Sequence, residues 1–461
     1  MAERHSLFKV YARWRPLNAS DSSASELERG VARHEKNHSI SVSSTSSSNR
    51  LRTWKSGASF AEVFSECALN SHVFGSVVAP TIPQVMNGGT CNFFAYGHSG
   101  SGKTHTIVGY NHEEEEYLGM CLAAARDLFQ AVNGIPNSMS DRPECKEDEE
   151  KEELGVVVRL YEVRGKCAYD LFNNGVECHV REGADGQTHV RGQTEILQDG
   201  KVRVRPIVAV PCWSFSEFRK TVLSGFNSRT TGSSSVHDES SRAHAVLELE
   251  VINKALLEAR DAVIERESEL VPVGKRATDV HIAEHSKALI RQPDGRYIQN
   301  PEYKVNQALI DTTEAAKKEC EVRLQAAQDA VANCFKTRRH ACLGGKFVFV
   351  DLAGAEFFDQ GTANSALRPK QTAQEQRQGR QINTDLFALK EVIRARAANQ
   401  ARIPFRASPL TMVLRSHFLA TNGCSSIMLT LSPSDAQFVA TVNTLKYGNL
   451  IGEAGGATGK D

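Results

Sequence analysis

The sequence predicts an α/β fold of the phosphate-loop type, with a central mixed, mainly parallel sheet flanked by helices. Three observations predict it. The octapeptide GHSGSGKT (Gly97–Thr104) follows the apolar run TCNFFAY; a second apolar run, KFVFV, ends in Asp351; a third, AHAVLELEVI, is preceded by two hydroxyls and an arginine. Loops that bind phosphate sit at the carboxyl ends of strands in such sheets, so three polar segments at strand edges call for a sheet that brings those edges together.

The chain has 461 residues, 55 Lys plus Arg against 55 Asp plus Glu, 24% charged and 40% hydrophobic residues. This is an ordinary globular composition, which excludes wholesale disorder and a uniformly basic surface. Eleven cysteines without a CxxC pair read as reduced thiols of a cytosolic protein. MAERHSLFKV carries no apolar signal core, and no run reaches the about 18 apolar residues of a spanning helix. Neither secretion nor a membrane span is expected.

Taken in order, Leu7 to Trp14 reads as a strand stopped by Pro16. The segment 21–50 is Ser-rich without apolar periodicity and reads as a long mobile loop. Folded sequence resumes at Phe60 to Phe64, and Ser76 to Met86 has helical spacing. LGMCLAAARDLFQAV is an amphipathic helix, and 141–153, with eight acidic and three basic residues, is a solvated loop. GVVVRLYEVR and KCAYDLF are strands around the Arg164-Gly165 turn. Between AHAVLELEVI and KFVFV lies a largely helical insertion, 254–340. In it Cys320, Leu324, Ala327, Val331 and Cys334 mark one narrow apolar face, so a helical hairpin is expected, with a free coiled-coil partner surface as the alternative. Leu386 to Ala398 ends a helix, SSIMLTLS is a strand, Gln437 to Leu450 is a last helix, and 452–461 is a flexible tail.

The chemistry begins with Gly97, His98, Ser99, Gly100, Ser101, Gly102, Lys103 and Thr104, which satisfy GxxxxGK[ST]. Small residues let successive backbone N–H groups face phosphate oxygens, Lys103 reaches the outer phosphates, Thr104 can ligate Mg2+, and His105 opens a helix. In DLAGAE, Asp351 is placed to hold Mg2+ through water and Gly354 to bring a backbone N–H to a terminal phosphate; alone, the segment is also a plain strand exit. In ESSRAH, Ser240 and Ser241 supply hydroxyls for the terminal phosphate or its metal, and Arg242 can pair with Glu356; alone, this is also a surface turn. Lys390, Arg394, Arg396, Arg402, Arg406, Arg415 and His417 form a basic cluster that suits an acidic filament, or a solvated helix face. It lacks the interleaved aromatics of a nucleic-acid surface.

These motifs, in this order, resemble the kinesin motor domain from about Phe8 to Leu450. RWRP, with Arg13, Arg15 and Pro16, matches the adenine-side segment; SSRAH and DLAGAE match switch I and switch II; INTDLFALKEVIRA and RIPFRASPLT match the helix and loop that face the microtubule. The resemblance implies a motor domain over 1–451, a microtubule-stimulated ATPase using ATP/ADP and Mg2+, and a microtubule (tubulin) as partner, contacted through Lys390, Arg394, Arg402, Arg406 and Arg415. It further implies a cytoplasmic, cytoskeletal location and a monomer as this chain, with oligomerisation left to any further sequence. Two alternatives stand beside it: a microtubule- or partner-binding module with weak or lost ATPase, and a microtubule-depolymerising motor. YGHSGSGKTHT, YEVRGKCAYDLF and PFRASPLTMVLRSHF favour the latter; the absence of a basic neck before the first strand and of a Lys-Val-Asp tip opposes it. His237, Ala243, Asp385, Pro409 and Leu450 depart from the family pattern. Asp385 and Pro409 are expected to weaken the filament face, and the missing neck linker implies that this chain alone does not step.

Overall fold

The computed structural model describes residues 8–17, 25–44, 52–135, 153–183, 186–198, 200–231, 242–293, 295–337, 339–355, 373–420 and 422–456. In chain order the elements are β1 (Phe8–Trp14), β2 (Glu28–Arg33), β3 (His38–Ser44), β4 (Arg52–Lys55), β5 (Glu62–Phe64), α1 (Asn70–Val77), α2 (Ile82–Met86), β6 (Thr90–Tyr96), α3 (Lys103–Ile107) and α4 (Met120–Asn133). There follow β7 (Leu154–Arg164), β8 (Cys167–Asp170), β9 (Val176–Glu182), β10 (Thr188–Ile196), β11 (Val202–Pro206), β12 (Val210–Cys212), α5 (Phe215–Thr231), β13 (His244–Asn253) and α6 (Lys254–Lys287). The rest are β14 (Leu289–Arg291), β15 (Tyr297–Gln299), α7 (Gln307–Lys336), β16 (Lys346–Asp351), α8 (Ala373–Ala397), α9 (Pro409–Val413), α10 (Arg415–Leu419), β17 (Cys424–Leu431) and α11 (Phe438–Gly456).

The chain divides into two compact units. The first comprises Met1–Val190, Ile207–Val251 and Ala341–Asp461. Its sheet runs β9-β8-β7-β13-β16-β6-β17-β1-β5, parallel from β16 to β5 and antiparallel where β13 meets β16 and where β7, β8 and β9 follow one another. The central strands read as unbroken apolar runs because both faces are covered. Phe94 of β6 and Val348 and Val350 of β16 join one buried cluster, whereas Phe93 and Ala95 of β6 and Phe347 and Phe349 of β16 join the other. This is the period-two alternation of a strand between two helical layers.

Register decides where the motifs meet. Asp351 is opposite Ala95 on one side and Ala245 on the other, and Leu431 is opposite Trp14. The carboxyl ends of β6, β16, β17 and β1 and the start of β13 therefore share one edge of the sheet. Ala355 N–H donates to the Gly97 carbonyl at 3.3 Å across that edge.

Three expectations need correction. The segment 21–50 is not a loop throughout: β2, β3 and β4 make an antiparallel sheet of their own. The Ser-rich run holds a strand because HSISVSS alternates, with Ile40 and Val42 fully buried in the core. The helical stretch near Ser76 is broken into α1 and α2, with Pro80 and Pro83 at the break. The terminal helix extends to Gly456, so the tail begins later than 452. Of the acidic loop 141–153, all but Glu153 lies outside the described residues.

The second unit comprises Arg191–Pro206 and Ile252–His340. The end of β10 pairs with β11, and Lys201, just before β11, and Arg203 on it grip Glu265 of α6 at 2.5 and 2.9 Å. The helices α6 and α7 pack along each other, joined through the β14–β15 hairpin. Asn253 and Asn306 cap them by accepting from Leu256 N and Leu309 N. On α7, Cys320 is buried and Leu324, Ala327, Val331 and Cys334 are half-buried, whereas most of their neighbours are exposed. This is the narrow face that the spacing implies.

Because Ile40 is fully buried, Ile40→Ala should lower the unfolding free energy by about 2–5 kcal/mol. Urea denaturation checks it; a change under about 0.5 kcal/mol would mean that the small sheet is not part of the core.

Candidate active site

The loop after β6 is shaped by its glycines. Gly100 and Gly102 hold φ of +74° and +100°, a region that L side chains rarely adopt. A Cβ on Gly97 would stand 2.5 Å from Thr430 O and from Ser101 Oγ. Ser101 Oγ and Thr430 Oγ1 bond at 2.7 Å, which ties the loop to β17, and His98 Nδ1 lies 2.7 Å from Ser99 O. Lys103 is buried and donates to the Gly97 and His98 carbonyls at 3.1 and 2.9 Å. Burial pushes its ammonium down to about 8; nearby Asp351 opposes that shift and Arg229 adds to it. A buried cation held by carbonyls alone among the described residues is a good receptor for an anion.

Asp351 faces the loop from the end of β16. Its Oδ2 accepts from Thr104 Oγ1 at 2.7 Å and from Arg229 Nη1 at 3.0 Å. Its Oδ1 is buried and has no hydrogen-bond partner among the described residues. A buried carboxylate oxygen left open beside a threonine hydroxyl fits a hydrated Mg2+, which prefers one or two protein oxygens and keeps several waters. Arg229, in the last turn of α5, also donates to Glu162 Oε1 at 2.5 Å and to the Ala243 carbonyl at 2.9 Å.

Gly354 packs against the phosphate loop so closely that a Cβ would lie 2.8 Å from Ser99 N. His244 Nδ1 accepts from Ala353 N at 3.1 Å, which puts the ring proton on Nε2, 3.8 Å from Asp385 Oδ2. Arg242 Nη1 donates to Gln378 Oε1 of α8 at 3.2 Å. Ser240, Ser241, His237 and Glu356, the expected partner of Arg242, lie outside the described residues.

On the other side of the loop is a cavity of about 320 Å3, lined among others by Arg13, Arg15, Pro16, Gly102, His105 and Tyr110. The Arg13 guanidinium is committed to its wall, donating to Asn70 Oδ1 (2.6 Å), Thr106 Oγ1 (3.1 Å) and Ala68 O (2.9 Å). Arg15 donates to Pro16 O at 2.8 Å. The His105 and Tyr110 rings stack at 4.5 Å. Burial, then Arg13, push the His105 imidazole down to about 4, so this ring is neutral at pH 7.

The basic cluster separates into groups. Lys390 and Arg394 lie on α8, with Lys390 5.0 Å from the exposed Phe387 ring and Arg394 on Glu391 at 3.0 Å; Arg402 is exposed. Arg406 is engaged bidentately by Glu182, at 2.7 Å for both bonds, and Arg415 reaches Gly186 O at 2.7 Å and Glu182 at 3.4 Å. His417 is no surface cation: it is buried against Glu248 Oε1 at 3.2 Å. Asp385 likewise does not face outward. It is 2% exposed, accepts from Gln381 Nε2 at 3.0 Å and faces His244, so it cannot repel a filament. Pro409 opens α9 behind a Ser408/Thr411 capping box, the position where a missing N–H costs nothing.

Arg229 and Glu162 were not singled out in the sequence. The only signal was an arginine ending a helix just before the SSR segment, and nothing local marks its partners.

A mixed sheet with a phosphate loop at the carboxyl edge of its parallel strands, a lysine in the loop and a carboxylate across it define a P-loop nucleotide-binding protein. The kinesin motor domain family model matches residues 13–273 and 321–453, and the chain belongs to that family. It is 25% identical over 394 residues to human kinesin-like protein KIF24, covering 86% of this chain and 20% of that one; the mouse protein of the same name gives the same figures. The chain thus spans about a fifth of the length of these curated relatives. A solved structure of a fast kinesin aligns with a TM-score of 0.56 at 19% identity, covering 97% of this chain and 91% of that chain. Mutants of a kinesin motor ATPase align with 0.56 at 17%, covering 96% and 99%. At these identities the likeness is one of fold. Members of the family are P-loop ATPases that bind nucleotide with Mg2+ and associate with microtubules. Among the described residues no helix is long and apolar enough to cross a membrane.

Removing Arg229 would leave Asp351 and Glu162 buried without their cation. Arg229→Ala should therefore cost about 3–5 kcal/mol of stability, read as a lowered urea midpoint; a loss under about 1 kcal/mol would show that the carboxylates find other partners.

Proposed function

We propose that this chain is an ATP-hydrolysing, microtubule-binding motor domain of the cytoplasmic cytoskeleton, with its nucleotide site at Gly97–Thr104. The observation that carries the reading is Asp351, bonded through one oxygen to Thr104 and Arg229 and open at the other. Thr104 and Asp351 would hold Mg2+, Asp351 through water, and the ion would offset phosphate charge. Lys103 leaves the carbonyls of Gly97 and His98 and directs its ammonium at the outer phosphates. The backbone of Gly97–Lys103 presents N–H groups to the same oxygens. Pro16, Arg15 and Tyr110 border the base, with Arg13 fixing that wall. Gly354 brings its N–H to the terminal phosphate. Ser240, Ser241 and Arg242, with Glu356, close over it and position the attacking water.

Lys390 and Arg402 supply most of the charge that meets the acidic filament, and Arg394, paired with Glu391 on its own helix, adds less. Arg406 and Arg415 are held by Glu182 and contribute less. The helical insertion 254–340 decorates the motor without building its nucleotide site; it falls in the second compact unit, and the family match breaks within it, between 273 and 321.

Hydrogen bonds to charged groups are worth about 1.5–3 kcal/mol each, so Lys103→Ala should weaken ATP binding more than about tenfold and abolish turnover. Steady-state hydrolysis with and without microtubules tests the wild type and this variant: wild type should be stimulated, and near-normal turnover by a folded K103A protein would sink the assignment. For the filament, Lys390→Ala combined with Arg402→Ala should lower co-sedimentation at low salt, with basal hydrolysis intact. Arg406→Ala should do less, because exposed charges are worth about 0.2–1 kcal/mol and this one already has a partner. A larger effect from Arg406→Ala would reverse that division.

A further inference from the structure

The ribbon β8–β9 carries a side-chain cluster that neither the nucleotide site nor the filament charges use. Cys167 lies opposite His179, and Tyr169 opposite Glu177. Directly opposed residues, and those two apart on one strand, project from the same face. The thiol, imidazole and carboxylate of Cys167, His179 and Glu177 accordingly converge, with their ligand atoms all within 4.8 Å of one another. Cys167 Sγ already donates to Glu177 Oε1 at 3.0 Å. The Tyr169 hydroxyl sits 3.5 Å from the other carboxylate oxygen, and its ring is covered by the Arg164 guanidinium at 4.4 Å.

We infer that Cys167, Glu177 and His179 form a Zn2+ site with three protein ligands and a fourth position open to water or to a ligand from a partner. Zinc takes sulfur at about 2.3 Å and nitrogen or oxygen at about 2.0–2.2 Å, which in a tetrahedron sets ligand atoms about 3.5 Å apart. Cys167 is half-buried and the other two are exposed, which leaves their side chains room to rotate toward that spacing. The mixture of soft sulfur, imidazole and one carboxylate selects zinc over Mg2+ or Ca2+, which take oxygen ligands. On binding, the Cys167 proton passes to bulk water and the thiolate replaces its bond to Glu177 with one to the metal. Tyr169 orients the carboxylate from outside. The bound ion cross-links two strands, one of which ends at Glu182, the residue that holds Arg406 and Arg415.

The test uses the full chain, stripped with chelator and kept reduced, titrated with Co2+ and then Zn2+. The inference expects one Co2+ per chain with a thiolate-to-cobalt charge-transfer band, displaced by Zn2+ and retained in Cys334→Ala. Cys167→Ser should remove the band, and His179→Ala should weaken Zn2+ binding roughly tenfold or more, with circular dichroism unchanged in both. No band in the wild-type chain, or a band that survives Cys167→Ser, overturns it.

Discussion

The site depends on one guanidinium. Arg229 joins the end of α5 to β7 through Glu162, to β16 through Asp351 and to the start of β13 through the Ala243 carbonyl. Burial works against its charge, but Asp351 and Glu162 outweigh burial and raise its pKa further. A buried ion pair of this kind adds little net stability over an apolar substitute, while losing one partner is expensive. Its value here is positional. It fixes the Asp351 carboxylate so that Oδ2 serves Thr104 and Oδ1 is left open.

The same low-dielectric edge explains the state of Lys103. With burial lowering its pKa to about 8, the ammonium is costly without an anion beside it, so a phosphate bound there would relieve a cost already built into the fold. Behind the edge, a second ionic cluster stiffens the sheet. Glu248 receives Tyr161 and His417 at 2.8 and 3.2 Å, and Glu250 receives Arg159 at 3.2 Å. Contacts between His244, Ala353 and Asp385 extend the connection from the sheet edge to α8, the helix that carries Lys390 and Arg394. The elements flanking the nucleotide loop and the basic helix are thus parts of one packed unit.

Local chemistry was legible in the sequence, and long-range pairing was not. GHSGSGKT and KFVFVD announce a phosphate loop and a carboxylate at a strand end because glycine spacing and apolar runs are local signals. Arg229 is separated from Asp351 by more than a hundred residues and carries no motif. Asp385 and His417 looked like surface charges because composition says nothing of burial; each turned out to face a buried partner, His244 and Glu248. The Ser-rich strand β3 was missed for a related reason: only two apolar residues, Ile40 and Val42, carry its alternation within a long run of serines, too short a pattern to stand out.

The most direct test of the site is a crystal structure of the chain with Mg2+ and a non-hydrolysable ATP analogue. The account predicts Thr104 Oγ1 on the metal, Asp351 Oδ1 one water away, the Asp351–Arg229 pair intact and Lys103 moved from the Gly97 and His98 carbonyls onto phosphate. An analogue bound away from Gly97–Thr104, or bound there with Lys103 still on its carbonyls and no metal near Asp351, would contradict it.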